Sequence, residues 1–457
     1  MNNRNQELGS MHIGKLLFKL SMPATVGMMV NALYNFVDAV FIGLGVSADG
    51  LGGLTIAFPI QMLIMSLAQM VGIGAASSIS RHLGAGNYED AYKTVGNAYV
   101  LITLMSLIMV TIGLVFIVPI LNLFGAASAP ELLPYAKDYM TVIFMGSVFF
   151  SFAVASNNLI RSEGNAKVAM VSMIIGTGLN IVLDPIFIFV FDMGIRGAAI
   201  ATVLSQFASF LYIISYLRSG KSSLKVAPHY FKPDLAIMKE IIVIGFPAFT
   251  RQVGGSVLAI VLNNSLGFYG GKIAINAYGA INRIMMFLFM PMFGIIQGMQ
   301  PIAGFNFGAQ KYDRVIEVVK KSIISVTVLA TFGWGLSQLF STQLMSMFVK
   351  EQAVIDVGSQ AIRIIFLAVP IIGIQIVSSS FYQAVGKARP SLILSMLRQI
   401  IFLIPLIYIL PKTGLGILGI WIAFPISDAA STLISAWMLR KEMKTFDNIE
   451  PLKADAA

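Results

Sequence analysis

The chain contains no cysteine, only three histidines, and 11% charged residues. Without cysteine there is no disulfide, no thiolate nucleophile and no cysteine-ligated metal. The histidines, His12, His82 and His229, all fall near basic segments at the ends of apolar runs. That placement argues against a buried proton relay or an imidazole metal site. There is no Gly-x-x-x-x-Gly-Lys phosphate loop, so nothing points to work driven directly by ATP. Paired Asp-rich motifs of the kind that hold magnesium and a diphosphate are absent too. The shortage of charge excludes most. A water-soluble domain carries roughly 25% charged residues, whereas this chain is 57% hydrophobic with a mean hydropathy of +0.82. It lacks the polar surface needed to face water.

What is present is apolar sequence in long runs. Bounded by glycine, proline and charge clusters, these runs predict twelve helices, over 14–43, 51–80, 92–121, 136–160, 167–191, 195–217, 237–268, 273–303, 315–341, 354–385, 389–410 and 415–440. Each is long enough to cross about 30 Å of hydrocarbon as a helix, and too long and continuous for a barrel strand. The first run extends from Leu16 past Phe41, far beyond the apolar region of a secretory signal, so it is expected to remain as a span. With both termini on one side, 22 lysines and arginines fall on that side and 5 on the other (Lys137, Arg196, Lys272, Lys350 and Lys412). The positive-inside rule then predicts a multi-pass protein of the cell membrane with both termini cytoplasmic. The formal net charge of +10 is spread over short loops rather than gathered on one face, which excludes nucleic acid as a partner and leaves the lipid bilayer.

The chain repeats itself. Lys15 with Pro23-Ala24 matches Lys239 with Pro247-Ala248, and Gly84-Ala85 with Tyr88 matches Gly308-Ala309 with Tyr312, both at an offset of 224. Gly164 with Ala166-Lys167 matches Gly386 with Ala388-Arg389, and Gly194, Gly197 and Ala201 match Gly416, Gly419 and Ala423, both at 222. The expected organisation is an N-terminal six-helix lobe over 1–220, a cytoplasmic linker over 221–236, and a C-terminal six-helix lobe over 237–457. Six spans is an even number, so the halves enter from the same side and form parallel repeats, a plan characteristic of secondary transporters.

An ionisable side chain inside hydrocarbon costs at least ~2.5–3.5 kcal/mol, so each one requires a reason. In the first half these are Asp38 on span 1 and Asp184 on span 5. Asn180 lies one turn before Asp184 on the same helical face. Asn157 closes span 4 and Thr202 lies in span 6. Asp38, Asn180, Asp184 and Thr202 offer only oxygen ligands, chemistry suited to sodium or to a proton held by carboxylates of raised pKa. No lysine, arginine or histidine is expected inside the spans of this half to neutralise the acids. The alternative reading is structural: Asp184-Pro185 opens a kink whose free backbone groups the carboxylate caps, and Asn157 and Asn180 join helices. In the second half the charges inside spans are Arg251, Arg283, Arg363 and Arg398 against Asp428. Asp428 paired with Arg398 or Arg251 inside the lobe is the structural reading, and an arginine steering anionic parts of a substrate is the functional one. Arg363 has the reach to snorkel outward. Span 8 is rich in methionine, including Met286 and Met290, which fits either a repacking surface for varied apolar ligands or plain core filling. Asn31, Tyr34 and Asn35 share the stretch of Asp38 and are further candidates to line a cavity.

At these residues the sequence resembles the multidrug and toxin extrusion (MATE) family, in its prokaryotic DinF-like and MepA-like branches. The resemblance rests on Pro23-Ala24 with Asp38, on Gly84-Ala85-Gly86-Asn87, and on Asn157-Asn158 through Arg161, Glu163, Gly164 and Asn165. Leu179-Asn180 through Asp184-Pro185 and Gly194 through Ala199 complete it, and it runs over essentially the whole chain. It implies an all-α integral membrane protein of twelve helices in two parallel six-helix repeats with a V-shaped architecture. It further implies a monomeric antiporter, not an enzyme, that exports amphipathic, often cationic, small organic molecules in exchange for sodium or protons, with no other cofactor. By the same resemblance the cation site is Asp38, Asn180, Asp184 and Thr202, with Asn157 nearby. Span 7 departs from the branch that carries an acid there, having Arg251, Asn263 and Asn264 instead, so coupling is expected in the first half. Two other functions fit the sequence: a lipid or lipid-linked oligosaccharide flippase of the same superfamily, and a channel or non-transporting receptor.

Overall fold

The structure, a computed structural model, describes residues 3–46 and 48–447, apart from the side chains of 3, 34–36, 38–40, 42–45, 48 and 447. Among the described residues every regular element is a helix. With no water in hydrocarbon to take up backbone N–H and C=O groups, a lipid-spanning chain must pair them along its own length. After a short helix Asn3–Ser10 come α1 (Ile13–Gly45), α2 (Ala48–Gly84), α3 (Tyr88–Val115), α4 (Leu133–Ser162), α5 (Ala166–Pro185) and α6 (Gly194–Arg218). The 74-residue stretch Leu235–Gly308 is two helices, α7 (235–270) and α8 (272–308), broken at Gly271 where φ is 60° and ψ −157°. That conformation is open only to a residue without Cβ. Then follow α9 (Tyr312–Leu339), α10 (Gln352–Ala384), α11 (Ala388–Thr413) and α12 (Ile417–Asp447).

Ten helical stretches are long and apolar enough to cross a bilayer. Dividing one of them at Gly271 and adding α9 gives twelve membrane-length helices among the described residues. The charges of α9, Asp313, Arg314, Glu317, Lys320 and Lys321, are confined to its first three turns and leave an apolar stretch over 322–339. One predicted boundary needs correction. Span 3, expected to reach 121, ends at Val115, because Phe116 leaves helical geometry (φ −109°, ψ 27°) and a separate short helix Ile117–Leu123 follows. The same break recurs 224 residues later at Phe340 (φ −121°, ψ 30°), before Ser341–Ser346. The apolar run continues through the break at Phe116, so composition carried no sign of it, whereas the polar residues around Phe340 match the predicted end of span 9.

The repeat is written in the backbone more fully than in the side chains. Positive φ occurs at Gly86 (77°) and Gln310 (57°), Gly164 (82°) and Gly386 (78°), Asp192 (51°) and Gly414 (92°), and Gly194 and Gly416 (both 52°). The spacings are the 224 and 222 of the sequence matches. Glycine is needed at Gly164 because a left-handed residue must turn α4 into α5 within three residues.

By contact the chain divides into two compact units, residues 1–5 with 26–249, and residues 6–25 with 250–457. These are drawn differently from the halves 1–220 and 237–457. The start of α7 belongs to the first unit and the start of α1 to the second, and the changeover falls just after Pro23-Ala24 and Pro247-Ala248, one of the repeated motifs. Glycines explain this membership. In the first unit a Cβ on Gly74 would overlap the Ile241 carbonyl, and one on Gly245 the Met70 carbonyl, so α2 and α7 cross backbone to backbone. In the second unit Gly294 and Gly298 of α8 meet Thr25 and Ser21 of α1 in the same way. Such small residues permit the close approach on which helix packing in lipid depends. Asn306 and Arg314 add hydrogen bonds to the carbonyls of Leu8 and Met11, at 3.0 and 2.7 Å, fastening the chain ahead of α1 to that unit.

Two alanine substitutions should therefore differ in sign. Gly245→Ala is expected to lose about 1–3 kcal/mol through overpacking. Gly178→Ala, where nothing lies within 4 Å, should gain about 0.5–1 kcal/mol of helix stability. Thermal unfolding in detergent measures both, and wild-type stability of Gly245→Ala would contradict the close crossing.

Candidate cation and substrate sites

Asp184 is in the last turn of α5 and fully buried. Its Oδ1 accepts a hydrogen bond from Asn180 Nδ2 at 3.0 Å, the one-turn contact that the spacing predicted. Asn180 Oδ1 is buried and takes no hydrogen bond among the described residues. The helix is altered at this level. Pro185 has no N–H, so the Ile181 carbonyl loses its α-helical donor. The chain then widens into a π-turn over Ile186–Val190, in which the Phe191 N–H donates to the Ile186 carbonyl at 3.0 Å. Such wide turns in helices are frequent at functional sites.

Helix α6 runs antiparallel to α5, and three contacts fix the register. Ser209 Oγ donates to the Ser172 carbonyl at 2.9 Å, Gly176 faces Ser209, and Gly197 abuts the Phe187 carbonyl. Thr202 lies between these points, level with the Asn180–Asp184 turn, and two turns from Ser209 it shares the face toward α5. It is half-buried. Ser205, on the same face, is fully buried with an Oγ that takes no hydrogen bond among the described residues. Sequence reasoning passed over it, since a serine in a membrane helix reads as packing. Asn157, near the end of α4, is buried with its Oδ1 also lacking a donor. Among the described residues no hydrogen bond ties it to the α5 pair. The structure thus brings together Asn180, Asp184, Thr202 and Ser205. The side chains of Asp38, Tyr34 and Asn35 lie outside the described residues, and Asn31 is half-buried on α1.

One premise of the sequence reading is corrected. A basic residue is buried in the first half: Arg161, placed there in a cytoplasmic turn, is 8% exposed at the end of α4. Beyond it Glu163 is wholly buried and forms the hub of a network the sequence did not reveal. Tyr216 Oη donates to it at 2.5 Å, Ser222 Oγ at 3.0 Å and the Ser223 N–H at 2.5 Å, with Arg4 Nη1 3.8 Å away. Asn165 caps α5 through Val168 N–H and donates to Tyr216 Oη at 2.8 Å. The Glu163-Gly164-Asn165 motif is a structural knot joining the α4–α5 turn, the end of α6, the linker and the amino terminus. Burial raises the Glu163 carboxyl above the ordinary carboxylate value, opposed by the hydrogen bonds from Tyr216, Ser223 and Ser222 and by Arg4.

In the second half Arg398 Nε donates to Asp428 Oδ1 at 2.6 Å, with side chains 18% and 3% exposed. This is the structural pairing the sequence offered as one of two readings. Arg398 also sits on a π-turn, Leu397–Leu403, and its carbonyl accepts from Ser427 Oγ at 2.6 Å. Arg251 is half-buried and Arg283 exposed, and neither joins an ion pair among the described residues. Exposed Arg363 donates from Nε to Ser341 Oγ at 2.9 Å. Met286 is exposed and Met290 half-buried, while Met292 and Met299 belong to the core, so the methionines of α8 divide between filling and display. Among the described residues no three His, Asp or Glu side chains converge on a metal-sized site.

Two repeated sets of six membrane-length helices, with ionisable side chains buried within them, make a membrane transport protein. The MatE family model matches residues 23–186 and 247–409, one match in each repeat. The chain belongs to the MATE family of transporters. The multidrug export protein MepA of Staphylococcus aureus is 28% identical over 95% of this chain and 96% of its own length. Among solved structures, the MATE multidrug transporter DinF-BH is 43% identical with a TM-score of 0.88, covering 95% of this chain and 96% of that one. A multidrug resistance MATE transporter in an outward-facing conformation is 26% identical with a TM-score of 0.89, covering 97% and 98%.

Two measurements check this account. Arg398→Ala or Asp428→Ala alone should cost about 3–5 kcal/mol by stranding a buried charge, while Arg398→Met with Asp428→Leu should cost far less; equal losses would dismiss the ion pair. For Glu163 the folded state binds its proton more tightly than the unfolded state, so stability falls as pH rises from about 4.3 through the raised value. Glu163→Gln should flatten that fall in a series of melting temperatures from pH 4 to 8.

Proposed function

We propose that this chain is a cation-coupled antiporter that exports small, amphipathic, often cationic organic molecules across the cell membrane by alternating access. The observation that carries the reading is the Asn180–Asp184 pair: a carboxylate held wholly out of water beside an amide oxygen with no donor among the described residues, on a helix whose ladder proline has opened. A buried carboxylate beside hydroxyl and amide oxygens suits a hard monovalent cation or a proton. Thr202 and Ser205 supply hydroxyls at that level, and Asp38 is the second acid. The cation is cargo, driven by its gradient, and binding it favours one conformation while substrate favours the other. Pro23, Pro185, Pro247 and Pro291 give the helices places to bend. Export as the direction, and organic molecules as cargo, follow the relatives, which are described as multidrug transporters. Arg251 and Arg283 are candidates to face substrate, with Met286 and Met290 beside them. Both termini are cytoplasmic on the strength of the basic loops, the repeats 1–220 and 237–457 are the two lobes joined by the linker 221–236, and the transporter acts as a monomer.

Reconstituted protein under separately imposed sodium and pH gradients identifies the coupling ion. In the gradient that drives efflux, Asp184→Asn should reduce gradient-driven efflux to the level of empty vesicles, while purifying and melting like wild type. Asn180→Ala should weaken it at least several-fold. Full gradient-driven efflux by Asp184→Asn would remove the coupling site from this helix.

A further inference from the structure

Outside that site, the first contact unit holds a cavity of about 930 Å³. Helix α3 lines it with Val100 and Leu104, α4 with Phe152, α6 with Ile214 and Arg218, and the linker closes it from Gly220 to Phe231. Its depth follows from helix rise. Leu104 lies 11 residues beyond Lys93, and Phe152 lies 10 before Ser162, so they lie about 15–17 Å along their helices from those ends at 1.5 Å per residue. That is half of the ~30 Å hydrocarbon core, the depth of one leaflet.

The wall and the mouth differ in chemistry. Deep polar groups are already used: Tyr99 Oη is bonded to Ser156 at 3.0 Å, and Thr103 Oγ1 donates to the Tyr99 carbonyl at 2.7 Å. The deep surface is therefore apolar. At the mouth stand Arg218 and Lys225, both exposed, and neither forms an ion pair among the described residues. The Lys225 ammonium lies 5.7 Å over the Tyr92 ring. Of the nearby acids, Glu163 is sealed behind Ser222 and offset by Arg4, and Glu89 accepts from Tyr230 Oη at 3.0 Å, so two cations against one exposed acid leave the mouth with a net positive charge. Leu104 and Val226 are 49% and 40% exposed, which leaves the cavity open on its flank to lipid.

We propose that this cavity is a binding site for an anionic phospholipid of the cytoplasmic leaflet, with its phosphate between Arg218 and Lys225 and one acyl chain along Leu104, Phe152 and Ile214. A free phosphate has no use for an apolar recess one leaflet deep. A zwitterionic lipid brings its own cation to a mouth that already holds two. Paired basic groups at a membrane surface favour acidic headgroups, and a chain laid in the recess adds apolar burial that a soluble anion cannot. The lipid would fasten the segment that joins the two repeats. This goes beyond the antiport reading and does not depend on it.

The test uses the purified full-length protein in neutral detergent, with the melting midpoint read after adding phosphatidylglycerol, phosphatidylcholine or inorganic phosphate. Phosphatidylglycerol should raise the midpoint by several degrees, phosphatidylcholine by clearly less, and phosphate not at all. The double variant Arg218→Ala with Lys225→Ala should reduce the phosphatidylglycerol shift to the phosphatidylcholine level, with its midpoint in detergent alone unchanged. Equal shifts from both lipids, a full shift in the double variant, or a matching shift from phosphate would overturn the proposal. Should the double variant be unstable, the Leu104→Trp protein decides. Its added fluorescence should be quenched by chain-brominated phosphatidylglycerol at several-fold lower concentration than by brominated phosphatidylcholine, and equal quenching would refute the site.

Discussion

Hydrocarbon offers no hydrogen bonds, and that one fact governs the molecule from its helix lengths to its chemistry. Where a span can be an unbroken helix it is one, and each departure has a local cause. Gly271 uses a conformation closed to other residues, Phe116 and Phe340 leave helical geometry at matching places in the two repeats, and Pro185 removes an amide and is followed by a π-turn. The last of these adjoins Asp184. A carboxylate is expensive in this medium, and the protein places it where the helix already has oxygen to spare.

The two repeats share a backbone but not a charge distribution. Left-handed residues recur at fixed spacing through both, including positions where the residue type has changed, such as Asp192 against Gly414. The polar residues of the proposed cation site do not recur. The positions 222 after Asn180 and Asp184 are Phe402 and Leu406. The charge that α11 carries away from its ends, Arg398, is answered within its own unit by Asp428. One half holds a carboxylate beside an amide oxygen without a donor among the described residues, and the other a closed ion pair, so the repeats share a scaffold but not its buried polar groups.

Much of this was legible beforehand because lipid imposes simple rules. Span positions followed from apolar length and glycine or proline boundaries, and the Asn180–Asp184 contact followed from helical spacing alone. What escaped the sequence has physical reasons. The break at Phe116 lies inside continuous apolar sequence, where hydropathy has no contrast. Glu163 and Arg161 looked like residues of a wet turn, because nothing local records that Tyr216, Ser222 and Ser223 close over the acid from far along the chain. Ser205 was invisible since a lone hydroxyl in a membrane helix is common. The exchange of helix starts between contact units was equally hidden, although the Pro-Ala pairs that mark it were found as a repeat.

That exchange sets a limit on how the molecule could be taken apart. Residues 235–249 complete the unit built mainly from 26–218, and residues 6–25 complete the one built from 250 onward. A polypeptide ending in the linker would leave Gly74 and its neighbours on α2 facing empty lipid, and a polypeptide beginning there would leave Gly294 and Gly298 bare. Each fragment would carry a loose helical arm suited to the other's vacant groove. The halves could then regain their fold only by being made together, which ties the two copies into a single heritable unit despite their separate internal cores.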